Sequence, residues 1–102
     1  MMLQPMSITD AQADKAARMF AALADPARLR LLLRLATGEA SVSALSAATG
    51  DRMTTVSARL AVLHSAHLVA RQRVGKSIIY RLADHHILSL VTNAIEHALE
   101  EH

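Results

Sequence analysis

The chain has 102 residues, enough for one domain with a single modest core. Just over half of it is apolar (52%), dominated by Ala and Leu with only Phe20 and Tyr80 aromatic, which favours helices, and its longest apolar runs are too short to span a bilayer. The absence of cysteine excludes disulfides and thiolate metal sites, and the start of the chain shows no basic-then-apolar signal peptide, so a cytoplasmic location is expected.

In chain order, residues 1–8 read as a flexible tail and residues 9–102 as one folded domain. Thr9 is placed to cap a helix running to about Leu23, with Met19, Phe20 and Leu23 as its apolar stripe. Asp25-Pro26 restarts a helix, Asp as cap and Pro in the first turn. Leu29, Leu32, Leu33 and Ala36 are its expected buried face, with Arg28, Arg30 and Arg34 decorating it, and Thr37-Gly38 ends it. Ser41 or Ser43 caps a short helix that carries Val42 and Leu45 and stops at Gly50. Asp51 or Arg52 opens a longer one, whose core face is Val56, Leu60 and Leu63. Residues 68–74 and 77–82 alternate as strands around Gly75-Lys76, a hairpin. A last helix follows, capped by Asp84 and carrying Ile87, Leu88, Leu90, Val91, Ala94, Ile95, Ala98 and Leu99. The class is mainly α with a small β-hairpin.

Two helices across a tight turn, then a hairpin, form the order of a winged helix-turn-helix. The start of the second helix carries short polar side chains suited to base edges (Thr54, Thr55, Ser57) and cations suited to phosphates (Arg52, Arg59). Arg71, Arg73 and Lys76 lie along the hairpin or at its tip. Charge is segregated to match: residues 52–83 hold six basic and no acidic groups, whereas residues 84–102 hold four acidic groups and no Lys or Arg. The first block suits a polyanion, the second a cation. One small domain makes few phosphate contacts, so useful affinity calls for a dimer on two half-sites of double-stranded DNA.

The acidic block contains Asp84, His86, His97 and Glu100, imidazole and carboxylate donors that zinc accepts when no thiolate is present. Eleven residues advance a helix by about three turns plus 20°, so His86 and His97 share a face, yet they stand roughly 16 Å apart along the axis. One ion cannot take both from one straight helix. Two antiparallel copies solve this, Asp84 and His86 of one chain facing His97 and Glu100 of the other, twice per homodimer. Four protein ligands make a closed site, not a catalytic one. His85 and His102 fit less well and are surface residues, or extra ligands for a six-coordinate metal.

Residues 22–35 (ALADPARLRLLLRL), 54–69 (TTVSARLAVLHSAHLV), 71–82 (RQRVGKSIIYRL) and 84–101 (DHHILSLVTNAIEHALEE) together resemble the ArsR/SmtB family of metal-sensing winged-helix repressors. The resemblance implies a homodimer joined through its terminal helices, bound to operator DNA and released by zinc, or by cobalt or nickel, at Asp84, His86, His97 and Glu100. It places DNA contacts at Arg52, Met53, Thr54, Thr55, Ser57, Ala58, Arg59, Arg71, Arg73 and Lys76. Two departures stand out. Ser41-Val42-Ser43 occupies the place of the Cys-Val-Cys of arsenic, cadmium and lead sensors. Arg52, Thr54 and Ala58 stand where the recognition helix often has Ser, Ser and His. The resemblance also implies a coupling route: the ligand matching His97 donates its second ring N–H to backbone near His67, tying the metal helix to the DNA-reading helix. Other readings are a regulator with a vestigial metal site, a dimeric interaction module that binds no DNA and, least favoured, a small hydrolase, for which no Ser-His-Asp or Cys-His set is evident.

Overall fold

The computed structural model describes residues 7–100. Most of the expected tail lies outside these residues, as do Glu101 and His102; Ser7 and Ile8 are exposed and non-helical. Five helices and three short strands follow: α1 (Asp10–Leu23), α2 (Pro26–Ala36), β1 (Ala40–Ser41), α3 (Val42–Thr49), α4 (Met53–Ser65), β2 (Val69–Val74), β3 (Ser77–Leu82) and α5 (His85–Leu99).

The helix starts follow their caps. Thr9 Oγ1 accepts the Gln12 N–H at 3.1 Å while the Gln12 side chain accepts the Thr9 N–H at 2.9 Å, a reciprocal capping box. Asp25 caps α2 by accepting the Arg28 N–H at 3.0 Å, with Pro26 in the first turn. Of the two candidate serines, Ser41 caps α3, through the Ala44 N–H at 3.0 Å. Gly50 closes α3 at φ 77°, a left-handed conformation that glycine adopts without a Cβ penalty. In the hairpin, Gly75 takes φ 61° at the first position of a two-residue turn, where a II′ geometry requires a positive angle.

The core is built by Leu31, Leu32, Leu45, Val56, Leu60, Leu63 and Leu68, closed by Val69, Tyr80, Ile87 and Val91. The expected face of α4 is therefore the observed one. That of α2 is not: Leu31, Leu32 and Leu35 are buried, Leu29 and Ala36 are half-buried, and Leu33 is exposed. The helix carries leucine on most of its circumference, so apolar spacing alone fits two adjacent faces, and packing against α4 and β3 selects one. A second difference is β1. Ala40 and Ser41 pair antiparallel with Tyr80 and Ile79, extending the hairpin to a sheet of order β1-β3-β2. Two residues are too few to leave a period-2 pattern.

A third concerns Arg28, which does more than decorate α2. Its Nε donates to the Ala22 carbonyl at 2.8 Å and its terminal nitrogen to that of Ala21 at 3.3 Å, supplying donors to the last turn of α1 and locking the α1–α2 corner. The same corner holds the Asp25 carboxyl below its ordinary range, chiefly through the Arg28 backbone N–H; desolvation opposes this, and the charges of Arg28 and then Arg59 add to the lowering. A carboxylate with a lowered folded pKa contributes stability that is complete above the unfolded value and lost as pH falls through the folded one. The stability gap between the native chain and Asp25→Asn, measured by urea unfolding, is therefore expected to be constant at neutral pH and to shrink below about pH 4. A gap that stays constant down to the acid limit would contradict this account of the corner.

Candidate nucleic-acid interface and metal centre

The Gly50 turn sets α4 behind α3 and leaves the first turns of α4 uncovered. Arg52, Met53, Thr54, Ser57 and Ala58 are exposed, Met53 retaining 51% of its surface, and Thr55 is half-buried. Arg52 is the N-cap residue but makes no side-chain capping bond, so its guanidinium is not used to close the helix. Arg59 differs. It donates to Asp51 Oδ2 at 2.8 Å, and its side chain is only 29% exposed. That ion pair pins the turn to the second turn of α4, so Arg59 positions the helix start. Ser46 Oγ adds a bond to the Asp51 carbonyl.

On the hairpin, Arg71 pairs with Tyr80 and Arg73 with Ile78. Paired residues share a face of the sheet, so both arginines lie on the face through which Val69 and Tyr80 enter the core, toward the helices. Arg71, Arg73 and the turn residue Lys76 are all exposed. The surface formed by the start of α4 and the hairpin thus carries cations and short polar groups, and the acid of the adjoining turn, Asp51, is paired with Arg59.

The metal-ligand candidates fall into two couples at opposite ends of α5. Asp84 Oδ1 accepts the Ile87 N–H at 3.1 Å, and His86 Nδ1 lies 3.7 Å from the same oxygen. At the other end His97 Nδ1 lies 3.7 Å from Glu100 Oε2. Glu100 has left the helix as its C-cap, with φ −66° and ψ 146°, instead of continuing one helical turn beyond His97. All four side chains are more than half exposed, His86 at 96%. Among the described residues no group of three or more His, Asp or Glu side chains gathers within one chain. Each couple offers two donors, half of a four-coordinate shell, and the donor chemistry fits zinc. His85 is exposed beside the first couple.

Between the couples α5 is apolar. Leu90, Val91, Ala94, Ile95 and Ala98 line a groove with Phe20, Leu23 and Leu29. Phe20 keeps 60% of its surface and Leu99 79%, large apolar groups that a lone domain has no reason to present together. In the sequence Phe20 reads as one of the apolar stripe of α1 with Met19 and Leu23; in the fold Met19 and Leu23 pack against the core while Phe20 stays exposed.

His67 closes α4. At φ 62° it is the one non-glycine left-handed residue among those described. The Leu68 N–H bonds to the Leu63 carbonyl and the His67 N–H to that of His64, each at 3.0 Å, and Leu63 and Leu68 are fully buried: a Schellman ending. His67 lines a groove with Lys15, Arg18 and Arg28, whereas His97 lies on α5.

A helix-turn-helix domain family matches residues 23–72. The chain is 41% identical to a transcriptional repressor SmtB homolog of Synechocystis over 96% of its own length and 74% of the relative's. It is 38% identical to the transcriptional regulator NmtR of Mycobacterium tuberculosis over 97% and 83%. Its fold matches the homodimeric winged helix-turn-helix DNA-binding domain of a possible ArsR-family regulator from Mycobacterium bovis, with a TM-score of 0.84, 38% identity, and coverage of 99% and 96%.

Left-handed backbone strains any residue with a Cβ, so His67→Gly is expected to raise stability by up to about 1 kcal/mol after the greater freedom of the unfolded chain is offset. Urea midpoints check it. A loss on substitution would show that the imidazole itself holds the turn.

Proposed function

The chain belongs to the ArsR/SmtB family of winged-helix transcriptional repressors, and from that premise we propose that it binds operator DNA as a homodimer and releases it when zinc binds between the paired α5 helices. The observation that carries this reading is the placement of two His–carboxylate couples at opposite ends of one exposed, apolar-faced helix. The family is one of regulators, not enzymes, and no helix among the described residues is long and apolar enough to cross a membrane.

On the DNA side, the start of α4 enters the major groove. Thr54, Thr55 and Ser57 offer hydroxyls and Met53 and Ala58 apolar contact to base edges, while Arg52 reaches a base or phosphate. Arg71, Arg73 and Lys76 hold the backbone beside it. Arg59 acts through Asp51 by fixing the angle at which α4 begins. The apolar groove around Phe20, Leu90 and Ile95 is covered by the same groove of a second copy, in keeping with the homodimeric Mycobacterium bovis domain.

On the metal side, Asp84 and His86 of one protomer and His97 and Glu100 of the partner subunit would hold the ion, twice per dimer. A bound zinc ion would supply a cross-link between the protomers. The Asp84 cap uses Oδ1, leaving its other oxygen for a cation. His97 then donates its second ring N–H to backbone near His67, tying α5 to the end of α4. If that tie suits the free dimer better than the DNA-bound one, metal and DNA oppose each other by about 1–3 kcal/mol, or 5- to 150-fold in affinity.

The test is operator affinity with and without zinc, nickel and cobalt, for the native chain and His86→Ala. The native dimer should lose DNA affinity at least several-fold with zinc, and His86→Ala should bind DNA normally but ignore the metal. Metal-insensitive binding by the native chain would overturn sensing alone. No specific DNA affinity would overturn the repressor reading. A larger response to nickel or cobalt would reassign the ion.

A further inference from the structure

Besides Arg52, four arginines lie on or beside the α2–α3–α4 corner, and two of these have structural partners: Arg28 holds the carbonyls of Ala21 and Ala22, and Arg59 holds Asp51. Arg30 and Arg34 do not. Both are exposed on one side of α2, four residues apart, and neither forms an ion pair among the described residues. They line a cleft with Ala27, Ala48, Thr49 and Asp51. Its acid, Asp51, is neutralised by Arg59 at 2.8 Å. The Thr49 hydroxyl is engaged with the Leu45 carbonyl at 2.9 Å. Ala27 and Ala48 add only methyl groups to its lining.

Like charges four residues apart weaken a helix, and α2 carries this pair without a compensating acid. Position gives the pair a use. Thr49 and Asp51 belong to the turn that delivers Arg52, the N-cap of α4, so the cleft adjoins the start of the DNA-reading helix. A duplex held by that helix must carry one of its strands past the turn. We propose that Arg30 and Arg34 form a second phosphate-contacting surface, holding the DNA backbone beside the half-site on the flank of α4 away from the hairpin. This rests on the DNA-binding reading above and extends it. The hairpin arginines and α2 would then grip the duplex from both sides of α4, and the two copies each of Arg30 and Arg34 in a dimer would add affinity without reading sequence.

The full-length native chain and Arg30→Gln/Arg34→Gln are titrated across salt concentrations against two duplexes: one selected by the native protein from a random pool, and a scrambled one. The expected result is an equal fold-loss on both duplexes and a salt slope shallower by about 0.9 per phosphate contact removed, close to 3.6 for four arginines. Arg30→Lys/Arg34→Lys should keep the slope, and the Gln variant should unfold at the native temperature or slightly above it, because neither residue has a structural partner and their mutual repulsion is removed. An unchanged slope in the Gln variant, with native-like DNA binding, overturns this inference alone. A loss confined to the selected duplex also overturns it, since it would mean sequence reading. Inhibition by inorganic phosphate beyond that of chloride at equal ionic strength would assign the cleft to a free oxyanion and overturn the backbone assignment. Failure of the native chain to bind either duplex would overturn both this inference and the reading beneath it.

Discussion

Where α5 begins decides everything at its far end, and one hydrogen bond sets it: Ile87 N–H to Asp84 Oδ1 at 3.1 Å. Starting the helix at His85 turns Ile87 and Val91 into the core and leaves Leu90, Ala94, Ile95 and Ala98 on the uncovered side. It also fixes His86 and His97 on one straight helix with roughly 16 Å of axial rise between them. No rotamer change bridges that distance. A helix held this way presents two His–carboxylate couples that cannot meet within one chain, and an apolar strip between them that favours pairing with another copy.

The remaining architecture keeps two opposite charge environments apart. Six basic groups and no acid occupy residues 52–83, which build α4 and the hairpin, whereas among the described residues Glu96 lies on α5 and Asp84 and Glu100 cap its ends. The one acid near the basic surface, Asp51, is paired with Arg59, so it orders the turn without repelling a polyanion. Between the two regions lies the leucine core, with Leu63 and Leu68 packed under the left-handed His67. The DNA-reading helix ends at that point, and its Leu63, with Leu68, shares one core with Ile87 and Val91 of α5.

Much of this was legible in the residues. Local signals carried the helix starts, because Thr9, Asp25 and Asp84 cap through bonds reaching only three residues onward. The hairpin was equally local, set by Gly75 between two alternating runs. Signals that depend on distant packing were misread or missed. The leucine-rich α2 fits two faces equally well, and only α4 and β3 choose between them. The two-residue β1 exists because β3 offers it an edge. Arg28 and Arg59 looked like surface cations, but their partners lie six to eight residues away across corners no periodicity describes. The four metal-ligand candidates were legible as two couples, and the structure adds that each His already lies 3.7 Å from its carboxylate.

The central claim is that the metal site is divided between protomers. The direct test mixes two damaged chains, Asp84→Asn/His86→Ala, which keeps a capping oxygen at the start of α5, and His97→Ala/Glu100→Ala, and titrates zinc into each alone and into the refolded mixture. Each variant alone should lose high-affinity zinc binding. Their heterodimer should regain one site, formed by Asp84 and His86 of the second chain with His97 and Glu100 of the first. A mixture that binds no better than its parts would place the ligands within single chains, or elsewhere, and contradict the account.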